Sequence, residues 1–210
     1  MSLIKPDETI DAEYNLVDKA LLDLFTSRVR IKILNIFVPR PDEMFYVREV
    51  TRMVNEEVNA VRRELERLKA IGFLTTEQRA NRLYYKVKID FPFYYEILRI
   101  IGKTTGLAHI IHTQFDKTER IKFLTLSASF VQRKTSQPNE IDMLIVGKLN
   151  LEKLQEVIRR YEQQIKREIN YSVMTEDEFD FRKKRGDAFI RSVLSQLQIV
   201  VIGDEHQLYQ

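Results

Sequence analysis

Apolar residues recur at helical spacing in three neighbouring segments near the start of the chain. The first, residues 29–37, ends at the prolines Pro39 and Pro41, which predict a firm helix stop. The second, residues 45–54, ends at Asn55, a residue that tolerates a left-handed turn. The third follows at once and is capped by Gly72; its apolar positions lie at i, i+3, i+7 and i+10 and are Val58, Val61, Leu65 and Leu68. A short helix over Leu16–Phe25 is predicted before them.

Period-two alternation replaces helical spacing after Gly72. Residues 73–78 and 83–88 alternate around the segment Arg79-Ala80-Asn81-Arg82, which predicts a β-hairpin with a basic tip. A further helix starts behind Pro92 and runs toward Lys103, and the chain is expected to break near Gly106. We expect this break to be a domain border.

The second half of the chain predicts a different architecture. A helical piece over Gly106–Phe115 precedes strands over residues 121–126, 141–146, 169–174 and 199–202. The predicted helices between them cover residues 151–166, with Asn150 as N-cap, a segment capped by Thr175, and residues 188–197. This alternation indicates an α/β order.

Composition narrows the classes of protein to which this chain can belong. The 210 residues are 44% hydrophobic and 31% charged, with six glycines and five prolines, so the chain can bury cores and is not fibrous or disordered. The absence of Cys excludes disulfide frameworks, thiolate zinc sites and Cys nucleophiles, and fits a reducing interior. We see no leader segment and no membrane-length apolar run, so the cytoplasm is the expected location.

The distribution of charge along the chain indicates more about binding partners than the net charge does, which is only +3. The first 23 residues are acidic, whereas residues 28–88 are rich in Arg. In the third predicted helix, Asn59, Arg62 and Arg63 lie off the apolar face and Arg67 follows one turn later. The positive charge is therefore concentrated where a nucleic acid could meet it.

The order helix, short helix, turn, longer helix, hairpin, together with the segment from Val61 to Leu74, resembles the ArsR-type helix-turn-helix family. The resemblance covers about residues 26–88. It implies a winged helix-turn-helix that acts as a homodimer on a two-fold DNA site, with half-sites about one helical turn apart. Without Cys, thiolate metal sensing is excluded.

The resemblance also gives DNA-binding roles to two groups of residues. Recognition-helix residues Asn59, Arg62 and Arg63, with Arg67, are the candidates for base or phosphate contacts. Arg79, Asn81 and Arg82 at the hairpin tip would meet the DNA backbone or minor groove. Glu56 and Glu57 oppose phosphate binding beside the helix start, unless Glu57 serves as a helix cap.

The second half carries Leu126-Ser127-Ala128-Ser129 and, after ten intervening residues, Glu140-Ile141-Asp142. These segments resemble the Gly-Ser and Asp-x-Asp motifs of DNA polymerase β-like minimal nucleotidyltransferases, over about residues 106–205. In that family a tight Gly-Ser turn meets triphosphate, and carboxylates at i and i+2 of a strand hold Mg²⁺ with a third carboxylate from a later strand.

The departures from the family pattern predict a catalytically degenerate site. Ala128 stands where the family has Gly, Glu140 replaces Asp, and Asn170 falls where the third carboxylate is expected; Asp142 alone matches outright. We therefore assign Ser129, Glu140, Asp142 and Asn170 to a vestigial nucleotide or metal site without catalytic residues. No cofactor is expected, although Mg²⁺ with a nucleotide stays open. His109 and His112 are assigned to a helix surface or interface rather than to a metal.

Together these patterns predict an α+β protein in three parts: a helical extension over residues 1–25, a winged helix-turn-helix with linker helix over 26–105, and a small α/β nucleotidyltransferase-like domain over 106–210. The predicted function is a DNA-binding transcriptional regulator whose second domain is a sensor or scaffold. The predicted partners are double-stranded DNA, a second copy of the chain, and a nucleotide or protein at the second domain.

Two alternatives stay open at this point. One is an active Mg²⁺-dependent nucleotidyltransferase in which Asp142 and Glu140 hold one metal ion and Ser129 orients a phosphate. The other is an autoregulating antitoxin, because minimal nucleotidyltransferase domains are similar to the antitoxin halves of some toxin–antitoxin pairs. The DNA sequence, the sign of regulation and the effector are not fixed by the sequence.

Overall fold

The computed structural model describes residues 25–115, 119–134 and 140–210. The chain divides into two compact units, residues 1–105 and residues 106–210. Helices and strands mix in both units, which confirms the α+β class. All but the last residue of the helix predicted over Leu16–Phe25 lies outside the described residues. Within the described ranges, no helix is both long and apolar enough to cross a membrane.

The first unit follows the predicted order of helices and hairpin. Its elements are α1 (Arg28–Phe37), β1 (Phe45–Tyr46), α2 (Val47–Val54), α3 (Val58–Ala70), β2 (Leu74–Arg79), β3 (Arg82–Val87) and α4 (Tyr94–Thr104). β2 and β3 pair antiparallel around a two-residue turn, Ala80–Asn81, and β1 adds to the free side of β3. The predicted hairpin and the caps at Asn55 and Gly72, both at positive φ, are confirmed.

The start of α2 differs from the prediction, which began this helix at Phe45. Phe45 and Tyr46 form strand β1 and pair with Tyr85 and Tyr84 of β3. Aromatic side chains favour such cross-strand pairs, and the rings of Tyr46 and Tyr84 meet with centroids 5.5 Å apart. The carboxylate of Glu49 then accepts the backbone N–H of Tyr46 at 3.0 Å and begins the helix one residue later.

The buried face of α3 also differs from prediction at two positions. Val61, Leu65 and Leu68 are buried as expected, but Val58 is 38% exposed. At about 100° per residue, Val58 lies about 70° around the helix from the centre of the buried face. Glu64 lies within that face instead and is buried. A carboxylate at an apolar position needs a partner, and its partners are described below.

The second unit is a mixed sheet covered on both faces. Its elements are α5 (Gly106–Gln114), β4 (Arg120–Ser127), α6 (Ala128–Val131), β5 (Met143–Lys148), α7 (Leu151–Ile165), β6 (Tyr171–Met174), α8 (Glu176–Lys184), α9 (Ala188–Ser195), β7 (Gln198–Ile202) and α10 (Glu205–Tyr209). The strand order is β6-β5-β4-β7, and only the β5–β6 pair is parallel. The N-caps predicted at Asn150 and Thr175 are confirmed.

Alternate residues along the two central strands, β4 and β5, belong to two separate hydrophobic cores. Leu124 of β4 and Ile145 of β5 join the core that contains α5 and α7. Phe123 and Leu144 point the other way and join the core that contains α8, α9 and α10. This alternation follows from the pleat of a strand that is covered on both sides.

Two predicted strands begin later than expected. β5 begins at Met143 rather than Ile141, and β6 begins at Tyr171 rather than Ile169. Where the pairing begins, the carbonyl of Asn170 accepts from the N–H groups of both Asp142 and Met143, which departs from the one-to-one pattern of paired strands. Asp142 and Asn170 therefore lie at the start of their strands and not within them. The last helix, α10, was not predicted.

Candidate functional site

The exposed face of α3 carries three of the side chains singled out for DNA contact. Asn59, Arg62 and Arg63 are all exposed, on the side of the helix away from Val61 and Leu65. Within the described parts of the chain, the side chains of Arg62 and Arg63 take no hydrogen bond or ion pair. Both guanidinium groups are therefore free to act on a ligand that approaches this face.

Arg67 differs from these two arginines. Its Nη1 lies 2.7 Å from Oε1 of the buried Glu64, whose Oε2 accepts from Nε of Arg30 at 2.9 Å. The side chain of Arg67 is nevertheless 65% exposed, against 6% for Glu64. Arg67 thus helps to neutralise a buried carboxylate that joins α1 to α3, and only part of its donor set faces solvent.

A buried lysine orders the turn that positions α3. Nζ of Lys32, on α1, donates to the carbonyl of Val54 at 2.8 Å and to Oε1 of Glu56 at 2.6 Å. The bond to Val54 satisfies a carbonyl at the C-terminus of α2, just before Asn55 turns the chain with φ 48°. Because Glu56 is paired with Lys32 and also with Arg28, its charge opposes phosphate less than the sequence suggests.

Glu57 is the N-cap of α3. Its carboxylate accepts the backbone N–H of Asn59 at 2.9 Å and that of Ala60 at 2.8 Å. These two bonds, first that from Asn59, lower the pKa of Glu57 below its ordinary value, and Arg63 adds to the effect. The sequence leaves open that Glu57 serves as a helix cap, and the structure confirms that it does.

The hairpin tip is basic and exposed, but its two arginines have partners. Arg79 forms a two-pronged ion pair with Glu77, with Nε 2.7 Å from Oε1 and Nη2 3.3 Å from Oε2. The guanidinium of Arg82 lies over the ring of Tyr46, 4.6 Å from its centroid. Asn81 occupies the exposed turn itself. The sequence pattern does not indicate the Arg82–Tyr46 contact, because it places Tyr46 in a helix.

Tyr85 ties the hairpin to α3. Its buried phenol donates to Oε1 of Glu66, which lies on the same exposed side of the helix as Arg62 and Arg63. Burial, and then the hydrogen bond to Glu66, raise the pKa of Tyr85 well above its ordinary value. The hairpin and the exposed face of α3 are therefore held in one fixed arrangement within the first unit.

In the second unit, the motif carboxylate Asp142 is fully buried and turned into the protein. Its Oδ1 lies 2.5 Å from Nη2 of Arg167, and its Oδ2 accepts the backbone N–H of Asn170 at 3.0 Å. Arg167 also donates to the carbonyl of Lys134 at 2.7 Å and lies over the ring of Phe130. Sequence reasoning missed Arg167, which no spacing or motif distinguished.

The other residues that the sequence assigns to a vestigial site do not all meet at one place. Glu140 and Asn170 line an open cavity of about 710 Å³, which Ile141, Ile169, Tyr171 and residues of α9 complete. Ser129 follows the N-cap Ser127 of the one-turn helix α6 and does not line that cavity. The structure thus places Glu140 and Asn170 on the wall of one cavity, whereas Asp142 is buried in its ion pair with Arg167.

These residues do not suit Mg²⁺. A magnesium site needs anionic oxygens that are free to point at the ion, and a guanidinium stands against Asp142 instead. Among the residues the structure describes, no three His, Asp or Glu side chains converge as metal donors. No reaction step can be derived through a metal ion with this donor set.

Comparison with known proteins adds little to this geometry. No protein-family model matches the chain, and no curated protein matches it. Among solved structures, the crystal structure of NolR from Sinorhizobium fredii matches at 17% identity over 54% of this chain and 97% of NolR, with a TM-score of 0.29. A likeness of this strength carries no argument about fold or function.

Proposed function

We propose that the protein is a transcriptional regulator whose first unit is a winged helix-turn-helix that binds double-stranded DNA. In this proposal α3 is the recognition helix and enters the major groove. The β2–β3 hairpin is the wing and contacts the backbone or the minor groove. The regulator acts as a homodimer on a site with two-fold symmetry.

The observation that carries the proposal is the exposed pair Arg62 and Arg63. These two arginines lie on a helix whose own acidic residues are already engaged. Glu57 caps the helix, Glu64 is neutralised by two arginines, and Glu66 accepts from Tyr85. Two guanidinium groups that form no hydrogen bond or ion pair with the described residues suit guanine edges and phosphates.

The wing residues support a weaker role in the same interface. Arg79 is occupied by Glu77 and Arg82 by Tyr46, so both can give phosphate contacts only by sharing or exchanging a partner. Asn81 at the turn has an exposed amide that can donate to a phosphate. We therefore expect Arg62 and Arg63 to contribute more to affinity than the hairpin tip does.

For the second unit we propose a nucleotidyltransferase-like domain that no longer performs the transfer. The buried Asp142–Arg167 pair supports this reading, because the carboxylate retained from the motif is used to hold strands together. Its role in the regulator is then that of a scaffold or sensor domain. No contact in the described residues favours the enzyme or the antitoxin alternative.

The test is fluorescence anisotropy of the full-length protein on its own upstream DNA and on a scrambled duplex, across a salt series. Wild-type protein is expected to prefer the upstream duplex and to lose affinity steeply as salt rises. Arg62→Ala/Arg63→Ala is expected to weaken specific binding by about tenfold or more, because a good base contact contributes about 1–3 kcal/mol.

The matched control is Arg159→Ala/Arg160→Ala on α7, which removes the same charge from two adjacent exposed arginines in the other unit. Its binding curve should overlay that of the wild type. Equal and weak binding of the wild type to both duplexes would contradict the proposal. So would equal losses in the two double variants, because these would indicate a nonspecific effect of net charge.

A further inference from the structure

Val58 is the first residue of α3, and the core of the first unit does not fully bury it. Val58 is 38% exposed, whereas Val61 and Leu65 of the same helix are fully buried. The residues on either side of it in the chain, Glu57 and Asn59, are exposed and polar. An isolated apolar side chain thus lies at the helix end whose residues contact base edges when a helix enters the major groove.

Val58 shares its side of the helix with Arg62. The two residues are one turn apart, so their Cα atoms are separated by about 6 Å along the helix axis and by about 40° around it. Arg62 is exposed and forms no hydrogen bond or ion pair with the described residues. The helix therefore presents an apolar group and a guanidinium group side by side.

Val58 is held in place although it is exposed. The carboxylate of Glu57 accepts the backbone N–H groups of Asn59 and Ala60 and so fixes the first turn of α3. Valine is branched at Cβ, and in a helix its side chain keeps one strongly preferred rotamer. Contact with a ligand therefore costs Val58 little conformational entropy.

The chemistry of the major groove indicates what Val58 can bind. The base edges offer one apolar group there, the 5-methyl group of thymine. An apolar side chain can pack on that methyl group, but it cannot satisfy the donor and acceptor atoms of the other bases. An arginine instead forms paired hydrogen bonds with O6 and N7 of guanine. Because successive bases are about 3.4 Å apart, the 6 Å between Val58 and Arg62 spans about two base pairs.

We propose that Val58 is a specificity-determining residue that contacts the 5-methyl group of a thymine, within about two base pairs of a guanine bound by Arg62. The inference rests on the proposed function and deepens it, because it names two bases of the DNA site and the distance between them. Since Val58 carries no charge, its contribution is separable from that of the arginines.

The first test is a scan of the upstream duplex in which each thymine is replaced in turn by uracil. Uracil pairs as thymine does and lacks only the 5-methyl group. At the thymine that Val58 contacts, the dissociation constant of the full-length wild type should rise about fourfold, the value of one buried methyl group. Val58→Ser, which replaces two methyl groups by a hydroxyl, should bind the thymine and uracil duplexes equally.

The matched control is Ile71→Ser, which removes an exposed branched apolar side chain directly after the last residue of α3. This variant should keep the fourfold preference for thymine. Both variants change exposed positions, so they are expected to keep the wild-type circular dichroism spectrum. Their binding to the scrambled duplex should match that of the wild type, because neither substitution changes the charge.

The second test checks the spacing between the two bases. Replacing guanine by 7-deazaguanine removes the N7 acceptor and leaves the base pair intact. At a guanine within about two base pairs of the identified thymine, this replacement should weaken binding of the wild type about tenfold. It should not weaken binding of Arg62→Ala any further, because the guanidinium that uses N7 is already absent.

Three results would overturn the inference while the preference for the upstream duplex survives, and they would leave the proposed function standing. They are a scan in which no uracil weakens binding, a thymine preference that Val58→Ser keeps or Ile71→Ser loses, and the absence of an Arg62-dependent guanine within about two base pairs. Equal binding of the wild type to the upstream and scrambled duplexes would overturn the inference and the proposed function together.

Discussion

The exposed face of α3 and the start of strand β5 both carry charges that the sequence singles out, and the structure treats them in opposite ways. Arg62 and Arg63 are exposed and form no hydrogen bond or ion pair with the described residues. Asp142 is fully buried and paired with Arg167. A charge without an internal partner can act on a ligand, whereas a buried and paired charge is committed to its own fold.

The largest expected effect is at the buried pair. Asp142→Asn removes the charge opposite Arg167 and weakens the acceptor for the N–H of Asn170. Breaking a buried ion pair from one side costs about 3–5 kcal/mol, and because an amide still accepts hydrogen bonds we expect about 3 kcal/mol. Urea unfolding followed by circular dichroism measures this loss, with DNA binding expected to be unchanged in native buffer.

Glu140→Gln is the matched control, because it neutralises the other carboxylate of the same motif, which is only half-buried. Its cost should stay below about 1 kcal/mol. Equal losses in the two variants would contradict the contrast drawn between the regions. A Mg²⁺-dependent rise in the unfolding midpoint that Asp142→Asn abolishes would place a metal ion at that carboxylate instead.

Arg67 lies between the two extremes and gives an intermediate expectation. Arg67→Ala removes one of the two partners of the buried Glu64, but Arg30 remains. We expect a loss of about 1 kcal/mol in the free energy of unfolding and a smaller loss of DNA affinity than Arg62→Ala/Arg63→Ala causes. Thermal unfolding and anisotropy on the same samples measure both quantities.

The matched comparison for Arg67→Ala is Arg63→Ala, one helical turn earlier on α3. Arg63→Ala should lower DNA affinity and leave unfolding within about 0.5 kcal/mol of the wild type. If Arg67→Ala proved the more damaging to DNA binding while stability stayed intact, exposure and internal pairing would not separate binding residues from structural ones on this helix.

Sequence patterns predicted most of the elements, because each depends on local features. Helical spacing located α3, period-two alternation located the hairpin, and the caps at Asn55, Asn150 and Thr175 are formed by their own neighbours. The strand starts at β5 and β6 were missed because they depend on hydrogen bonds to Asn170 from residues far away in the chain.

Site residues were harder to predict than elements for the same reason. The sequence located the exposed arginines of α3 correctly on the polar side of the helix. It did not show which charges find partners, because Lys32–Glu56, Arg30–Glu64 and Asp142–Arg167 each join residues more than twenty positions apart. Lys32, between Ile31 and Ile33 in an apolar run, was the one signal that could have indicated a buried charge.

The smallest expected effect is at the N-cap Glu57, whose charge is bound by backbone N–H groups of its own helix and is also exposed beside the proposed DNA-binding surface. The backbone N–H groups of Asn59 and Ala60 lower its pKa below the ordinary value of 4.5, so the folded state favours the carboxylate. That contribution to stability is complete above pH 4.5 and is lost as pH falls through the lower pKa of the folded state. Glu57→Gln keeps an acceptor but lacks the charge, so it should lower the unfolding midpoint by no more than about 2 °C at pH 7 and by less near pH 3.

The carboxylate of Glu57 also lies beside the proposed phosphate contacts, so Glu57→Gln should bind DNA slightly more tightly at pH 7. The control is Glu152→Gln, in the first turn of α7, which should change neither the pH dependence of the unfolding midpoint nor the affinity for DNA. A midpoint difference that grows as the pH falls would contradict the assigned direction of the shift, and weaker DNA binding by Glu57→Gln would mean that the cap matters to this surface more than the charge does.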